Sequence, residues 1–215
     1  MALIATYSRQ TELASGNTVA LKTSRVSLRT RILQLLKGQA AIPLMYAYGQ
    51  LEYTAMEILG PSVAEQQKKN GPGVMLTTVV RIVDQVLAGL ERIHSLGIVH
   101  HDIKPENLLC ALGASTNKII DLPSKYEPSK DRRVIVGCLY WASPNSRNGV
   151  DLAPRDDLES LAYIALFLLR GNLPRKPRPR EELRLCSQET VRLTKPNCPG
   201  KDLSEGFPVE FGDLL

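Results

Sequence analysis

Aromatic residues and cysteines are both scarce, and each shortage narrows the classes of protein to which the chain can belong. Aromatic residues make up only 5% of its 215 residues, whereas surfaces that stack single-stranded nucleic acid need more of them. We therefore expect no nucleic-acid partner, although the net charge is +5. The four cysteines, Cys110, Cys138, Cys186 and Cys198, contain no Cys-x-x-Cys pair, which disfavours a zinc site. They are typical of reduced thiols in an intracellular protein, either cytoplasmic or nuclear.

Long hydrophobic runs are also missing. The apolar run Leu161–Leu169 is too short to cross a bilayer. The segment Met1–Tyr7 has a very short apolar start and no basic region before it, so it does not have the pattern of a signal peptide. We therefore expect no membrane association. Hydrophobic residues at 43% and charged residues at 23% instead predict a globular protein with a sizeable core.

The predicted elements come in the order strands first, helices later, which favours an α+β fold with two unequal lobes. The break at Gly60-Pro61-Ser62 and a polar loop at Gln66–Gly73 separate the two parts. Asp156 is predicted to cap a helix that is apolar almost all round and therefore buried. The predicted elements are strands at 1–7 and 17–22, a helix at 26–37, extended segments at 44–48 and 53–59, a helix at 77–95, apolar pieces at 108–112 and 118–122, a buried helix at 158–169, and a short helix from 208 onwards.

The segment with the clearest chemical pattern follows the long predicted helix and reads IVHHDIKPEN, residues 98–107. Phosphoryl transfer needs a carboxylate that orients the attacking hydroxyl, gains from a lysine that neutralises charge, and needs an oxygen ligand for magnesium. Asp102, Lys104 and Asn107 offer these groups in that order, at the spacing of a protein kinase catalytic loop. A solvated turn that happens to hold the same three residues is the simpler alternative.

Several phrases along the chain resemble the casein kinase I family of protein kinases. The resemblance runs from about the family's second strand to the end of the chain. The family's first strand, most of its glycine-rich loop and its last helices have no counterpart in the sequence. It implies one two-lobed protein-kinase-like domain over 1–215, with a reduced, β-rich N-lobe at 1–60 and a mainly helical C-lobe at 61–215. The phrases are RIHS at 92–95, the catalytic loop, IID at 119–121, RDDLESL at 155–161, MEILGPS at 56–62, ASPN at 142–145 where the family has Ser-Ile-Asn, and GFPVEF at 206–211.

The resemblance implies an ATP site. A strand lysine in the phrase VALK would contact the α- and β-phosphates, a gatekeeper and the hinge backbone would border the adenine, and two apolar residues would form the floor. The simpler alternative for the lysine is an exposed strand residue, and the simpler alternative for the two floor residues is plain core packing. The implied residues are Lys22 for the phosphates, Ala20, Met56, Glu57 and Leu59 for the adenine, and Leu109 and Ile120 for the floor.

The resemblance also implies the cofactors and the substrate. Asn107 and Asp121 would hold Mg²⁺, so the expected cofactors are ATP and Mg²⁺. Asp157 would accept hydrogen bonds from the catalytic-loop backbone. The substrate would be a protein, phosphorylated on serine or threonine beside acidic or already phosphorylated residues.

Two departures from the family pattern concern the lysine position. No Gly-x-Gly-x-x-Gly precedes Lys22, and such a loop normally covers the phosphates. The next helix should offer a glutamate to the lysine, but that position is held by Arg29, and residues 23–38 contain no acidic side chain. We expect Arg29 to repel Lys22.

Two further departures concern the metal position and the catalytic loop. Asp121 is followed by Leu122-Pro123 where the family has Phe-Gly, and proline excludes backbone conformations that glycine allows. We therefore expect the Asp121 carboxylate to be misdirected. His101 stands where most kinases have arginine, which is the least serious departure because this family does not rely on activation-loop phosphate.

Three interpretations of the whole chain follow. An active but impaired kinase is favoured by the catalytic loop. A pseudokinase that binds partners is favoured by Arg29, the missing glycine-rich loop and Leu122-Pro123, and a poorly folding fragment is favoured by the missing last helices. The basic run Arg175–Arg180 is a solvated loop on the simplest interpretation. A nuclear-import patch and a surface that attracts acidic substrates are the alternatives.

Overall fold

The computed structural model describes residues 7–11, 18–23, 28–49, 53–71, 73–113, 115–123, 140–147, 151–173, 202 and 204–213. Strands predominate in the first part of these residues and helices in the second, so the predicted α+β class is confirmed. Most of the predicted strand at 1–7, the basic run Arg175–Arg180 and three of the four cysteines lie outside the described residues.

A four-stranded antiparallel sheet forms from the first part of the chain, in the order β1-β2-β4-β3. Its strands are β1 (Tyr7–Thr11), β2 (Thr18–Thr23), β3 (Met45–Gly49) and β4 (Tyr53–Met56). Helix α1 (Leu28–Leu35) connects β2 to β3 and packs against β3. The register sets Ala20 opposite Met56 and Lys22 opposite Thr54, so β2 and β4 carry several of the predicted nucleotide residues side by side.

A second, three-stranded antiparallel sheet has the order β5-β6-β7. Its strands are β5 (Leu59–Ser62), β6 (Leu108–Ala111) and β7 (Asn117–Ile119). The predicted break at Gly60-Pro61-Ser62 is wrong in that these residues belong to β5, whose register with β6 shifts between Leu59 and Ser62. Strand β6 lies between the other two. The strand that begins at the predicted hinge, β5, therefore pairs with the strand that follows the catalytic loop, β6.

The polar loop predicted at Gln66–Gly73 is also wrong for most of its length, because α2 (Val63–Asn70) is a helix. Its start is stabilised by a capping box: the Ser62 hydroxyl accepts from the Glu65 N–H at 3.2 Å, and the Glu65 carboxylate accepts from the Ser62 N–H at 2.8 Å. Lysines in the last turn interact favourably with the negative end of the helix dipole. These local interactions stabilise a helix whose apolar face is too small to be seen in the sequence pattern.

The long helices form the centre of the second part. Helix α3 (Leu76–Ser95) packs against α5 (Pro154–Arg170), and Leu161–Leu169 on α5 is buried throughout, as predicted. Asp156 caps α5 from its third position, where it accepts from the Ala153 N–H at 2.7 Å. Among the residues that the structure describes, two short α-helices of one turn follow, α4 (Pro144–Arg147) and α6 (Glu210–Asp213), and the second of them packs against α5. Among the described residues, no helix combines the length and hydropathy that a membrane span requires.

Candidate active site

The catalytic-loop segment between α3 and β6 is anchored by a buried carboxylate on α5. Asp157, whose side chain is 2% exposed, accepts hydrogen bonds from the backbone N–H of His100 at 2.7 Å and of His101 at 2.9 Å. His101 has a φ of 68°, a left-handed conformation that costs a residue with a side chain about 1–2 kcal/mol. The carboxylate therefore holds the loop in a conformation that it would not prefer alone, and the prediction for Asp157 is confirmed.

Two histidines extend this anchor. His94 Nε2 lies 2.8 Å from Oδ2 of Asp157. His100 Nε2 lies 2.9 Å from the Ile120 carbonyl oxygen, and His100 Nδ1 accepts from the Asp102 N–H at 3.3 Å. Since one ring nitrogen of His100 accepts and the other donates, the neutral imidazole satisfies both contacts. His100 therefore fastens the catalytic loop to the segment that follows β7.

Asp102, Lys104 and Asn107 converge as their spacing predicts. Lys104 Nζ lies 2.6 Å from Asp102 Oδ2, and Asn107 Nδ2 donates to the Asp102 carbonyl at 2.8 Å and to Oδ2 at 3.1 Å. The Asp102 side chain is 23% exposed, so a hydroxyl from solvent can reach its carboxylate. A carboxylate held between an ammonium group and an amide is a suitable group to orient a hydroxyl and accept its proton.

Lys22 reaches the second cluster of the site from β2. Its side chain is 2% exposed, and its Nζ lies 2.5 Å from Oδ1 of Asp121, just beyond β7. Asp121 has a φ of 65°, a left-handed conformation that aspartate tolerates better than most residues. Leu122-Pro123 therefore does not prevent the turn at Asp121, and the carboxylate points at the buried lysine.

Arg29 on α1 joins the same carboxylate. Its Nη1 lies 3.2 Å from Asp121 Oδ1, and its Nε donates to the Leu122 carbonyl at 2.6 Å. The expected repulsion between Arg29 and Lys22 is offset here, because Asp121 pairs with both cations. A buried ammonium group needs a counter-ion, and Asp121 serves in place of the glutamate that residues 23–38 lack.

The pKa of Asp121 reflects this environment. Burial raises the pKa, but the hydrogen bond and charge of Lys22 lower it, and the charge of Arg29 lowers it further. The net result is a pKa below the ordinary value of 3.8. Asp121 is therefore ionised at neutral pH and available to both cations.

The predicted adenine residues lie on neighbouring strands and at the junction between the two sheets. Met56 is buried, whereas Ala20, Leu59, Leu109 and Ile120 keep part of their surface exposed. The Glu57 N–H donates to the Leu44 carbonyl at 2.8 Å, so this N–H belongs to the first sheet. A small cavity of about 10 Å³ adjoins Lys22, Met56 and Asp121, with room for a single water molecule.

Sequence reasoning missed one ion pair behind the predicted hinge. Lys118 Nζ on β7 lies 3.1 Å from Glu57 Oε1 and donates to the Ile42 carbonyl at 3.2 Å. The contact with Glu57 is an ion pair without hydrogen-bond alignment. The two side chains are only 11% and 15% exposed. The lysine at the start of the predicted piece 118–122 was the available signal in the sequence.

The predicted metal ligands suit Mg²⁺ by donor type but not by charge. Asn107 uses its Nδ2 towards Asp102, which leaves its Oδ1 as a neutral oxygen of the kind that Mg²⁺ binds. Asp121 Oδ1, in contrast, already has two cationic nitrogens at 2.5 and 3.2 Å. A divalent cation at that carboxylate would approach against the charge of both. Among the described residues, no group of three His, Cys, Asp or Glu side chains could hold a metal elsewhere.

The comparison with protein families agrees with this geometry. The family model for the protein kinase domain matches residues 12–204, which is most of the chain. The chain therefore belongs to the protein kinase domain family, and the predicted kinase-like α+β fold is confirmed. Members of this family in general transfer a phosphoryl group from ATP, with Mg²⁺, to a protein substrate.

Proposed function

We propose that this protein is a serine/threonine protein kinase of the casein kinase I type with impaired activity. The observation that carries the proposal is the arrangement of the catalytic loop. Asp102 lies within 3.1 Å of both Lys104 and Asn107, and Asp157 holds the backbone just before it. A chance turn would not need a buried carboxylate from another helix to fix its conformation.

The proposed mechanism assigns one task to each residue. Asp102 orients the substrate hydroxyl and accepts its proton, and Lys104 neutralises charge that develops on the transferred group. Lys22 positions the phosphates from β2, and Asn107 offers an oxygen ligand. ATP supplies the phosphoryl group and Mg²⁺, where bound, neutralises its charge. Ala20, Met56, Glu57, Leu59, Leu109 and Ile120 hold the adenine.

The assignment to the casein kinase I type is supported by the segment at 142–145. The Ser143 hydroxyl donates to Asp156 Oδ1 at 2.6 Å, and Asn145 Nδ2 donates to the same oxygen at 2.9 Å. A Ser-x-Asn pattern is therefore what the carboxylate on α5 requires, and this is the pattern that the family has. The net charge of +5 supports the proposed preference for acidic or phosphorylated protein substrates.

The proposed impairment follows from the cluster around Lys22. A glutamate on α1 would pair with Lys22 and leave Asp121 available to bind metal. Here Asp121 itself neutralises Lys22 and Arg29. A misplacement of about 1 Å in such a site can cost on the order of a hundredfold in rate. The same observation favours a second candidate function, a pseudokinase that acts as a binding module.

Transfer of labelled phosphate from ATP to casein by the full chain tests the proposal. We expect transfer that is slow but clearly above that of Asp102→Asn, which removes the proposed proton acceptor. Asp84→Asn, the same chemical change on the exposed face of α3, should leave the rate unchanged. Transfer by the wild-type chain equal to that of Asp102→Asn would mean that there is no catalysis, and the pseudokinase would be the better proposal.

A further inference from the structure

The cationic partner that α1 contributes to Asp121 is fixed in place. Arg29 is held at two points, by the 2.6 Å hydrogen bond from Nε to the Leu122 carbonyl and by the 3.2 Å contact of Nη1 with Asp121. Its side chain is 16% exposed, so the guanidinium group is neither sealed in the core nor free in solvent. A positive charge is thus built into the position beside the carboxylate that a metal would use.

The charges in this cluster differ in sign from those of the family pattern. Lys22 and Arg29 present two cations against the one carboxylate of Asp121. With a glutamate at the Arg29 position, one cation would face two carboxylates, and a polyanionic nucleotide could approach only if a divalent cation restored the balance. Here the cluster is already positive before any metal binds.

The remaining donors of Arg29 suit phosphate. A guanidinium group has five N–H donors in a planar fork that matches phosphate oxygens. Nε and Nη1 are used by Leu122 and Asp121, and Nη2 has no partner within the part of the chain that the structure describes. Lys22 Nζ lies against the same Asp121 oxygen, so a second positive charge stands beside the guanidinium group.

We propose that Arg29 replaces the charge of the divalent cation, so that the cleft binds a nucleoside triphosphate without Mg²⁺ and gains nothing when Mg²⁺ is added. The inference rests on the proposed function only in taking the cleft beside β2 and β7 as a nucleotide site. Mg²⁺ brings no gain because Lys22 and Arg29 already neutralise the Asp121 carboxylate. A divalent cation at Asp121 would approach against two positive charges.

Calorimetric titration of the full 215-residue chain with ATP tests the inference, once in EDTA and once in excess Mg²⁺. We expect binding in EDTA that is as tight as binding in Mg²⁺, within about twofold. Arg29→Glu should weaken binding in EDTA by about tenfold or more, because a charge-assisted contact becomes a repulsion, and Mg²⁺ should restore it. Arg31→Glu makes the same charge change at an exposed position of α1 and should leave the ratio of the two affinities unchanged.

The outcomes separate the inference from the proposed function. Binding of ATP to the wild-type chain only in Mg²⁺ would overturn the inference and leave the nucleotide site intact. Binding in neither condition would overturn both the inference and the proposed ATP site. If Arg29→Glu does not fold, Arg29→Gln removes the charge with little change in size; weaker binding in EDTA supports the inference, and unchanged binding in EDTA overturns it.

Discussion

Among single residues, Asp121 has the largest influence on the site, because it replaces an ion pair that the sequence cannot form. Its Oδ1 contacts Lys22 from β2 and Arg29 from α1. Both contacts join segments that lie about a hundred residues apart in the chain. Removing the carboxylate would leave two cations close together in a poorly solvated place, so Asp121 contributes to stability as well as to chemistry.

The lowered pKa of Asp121 makes this contribution depend on pH. Because the folded-state pKa lies below the unfolded-state value of about 3.9, the stabilisation is fully present above pH ~4 and is lost as pH falls through the folded-state pKa. We expect urea unfolding of the wild-type chain to show a steeper loss of stability below pH ~4 than unfolding of Asp121→Asn. Parallel pH profiles for the two proteins would contradict the assigned pairing.

Sequence reasoning reached some of these residues and not others. Asp102, Lys104 and Asn107 lie within one short loop, so their spacing alone brings them together. The contact of Asp157 with the loop could be predicted only from the resemblance. The role of Arg29 could not be predicted, because both of its partners are distant in the chain. They are the Asp121 carboxylate and the Leu122 carbonyl, the second 93 residues away, and a backbone oxygen leaves no signal in the sequence.

At the scale of elements, apolar periodicity decided which helices could be predicted. Helices α3 and α5 bury continuous apolar faces, and the predicted bounds agree with those observed except that α5 begins at Pro154, four residues before its predicted start. Helix α2 buries only Val63 and Gln67, so its pattern resembles that of a loop. Ser62 and Glu65 at capping-box spacing were the available signal for this helix.

The approach of α3 to β7 depends on one glycine. A Cβ at Gly89 would lie 2.7 Å from both Ala41 Cβ and Ile119 Cδ1, closer than carbon atoms normally approach. Ile119 is two residues before Asp121, so this close packing positions the strand that leads to the site. A side chain here must push α3 away from that strand.

We therefore expect Gly89→Ala to lower the free energy of unfolding by about 1–2 kcal/mol, because the steric clash outweighs the helix propensity that alanine gains. Ala88→Gly, at the exposed neighbouring position, should cost about 1 kcal/mol through propensity alone. Urea unfolding of both variants measures the two effects separately. A Gly89→Ala variant more stable than the wild-type chain would show that the approach of α3 is not limiting.

For the whole molecule, the segment around β7 is fastened to the first part of the chain at several points. The Ile119 N–H donates to the Ala41 carbonyl at 2.8 Å, and Lys118 Nζ donates to the Ile42 carbonyl at 3.2 Å. The contacts of Lys22 and Arg29 with 121–122 add to these. The proposed nucleotide site is therefore bordered by these contacts on one side.

The central claim is that Arg29, in the place of a glutamate, limits phosphoryl transfer by engaging Asp121. The rate of phosphate transfer to casein in Mg²⁺ by Arg29→Glu tests it most directly, with Arg31→Glu as the matched charge control. We predict that Arg29→Glu transfers phosphate about ten- to a hundredfold faster than the wild-type chain, because Lys22 regains its usual partner and Asp121 is released to bind metal. Arg31→Glu should match the wild-type rate. A rate for Arg29→Glu at or below that of the wild-type chain would contradict the account.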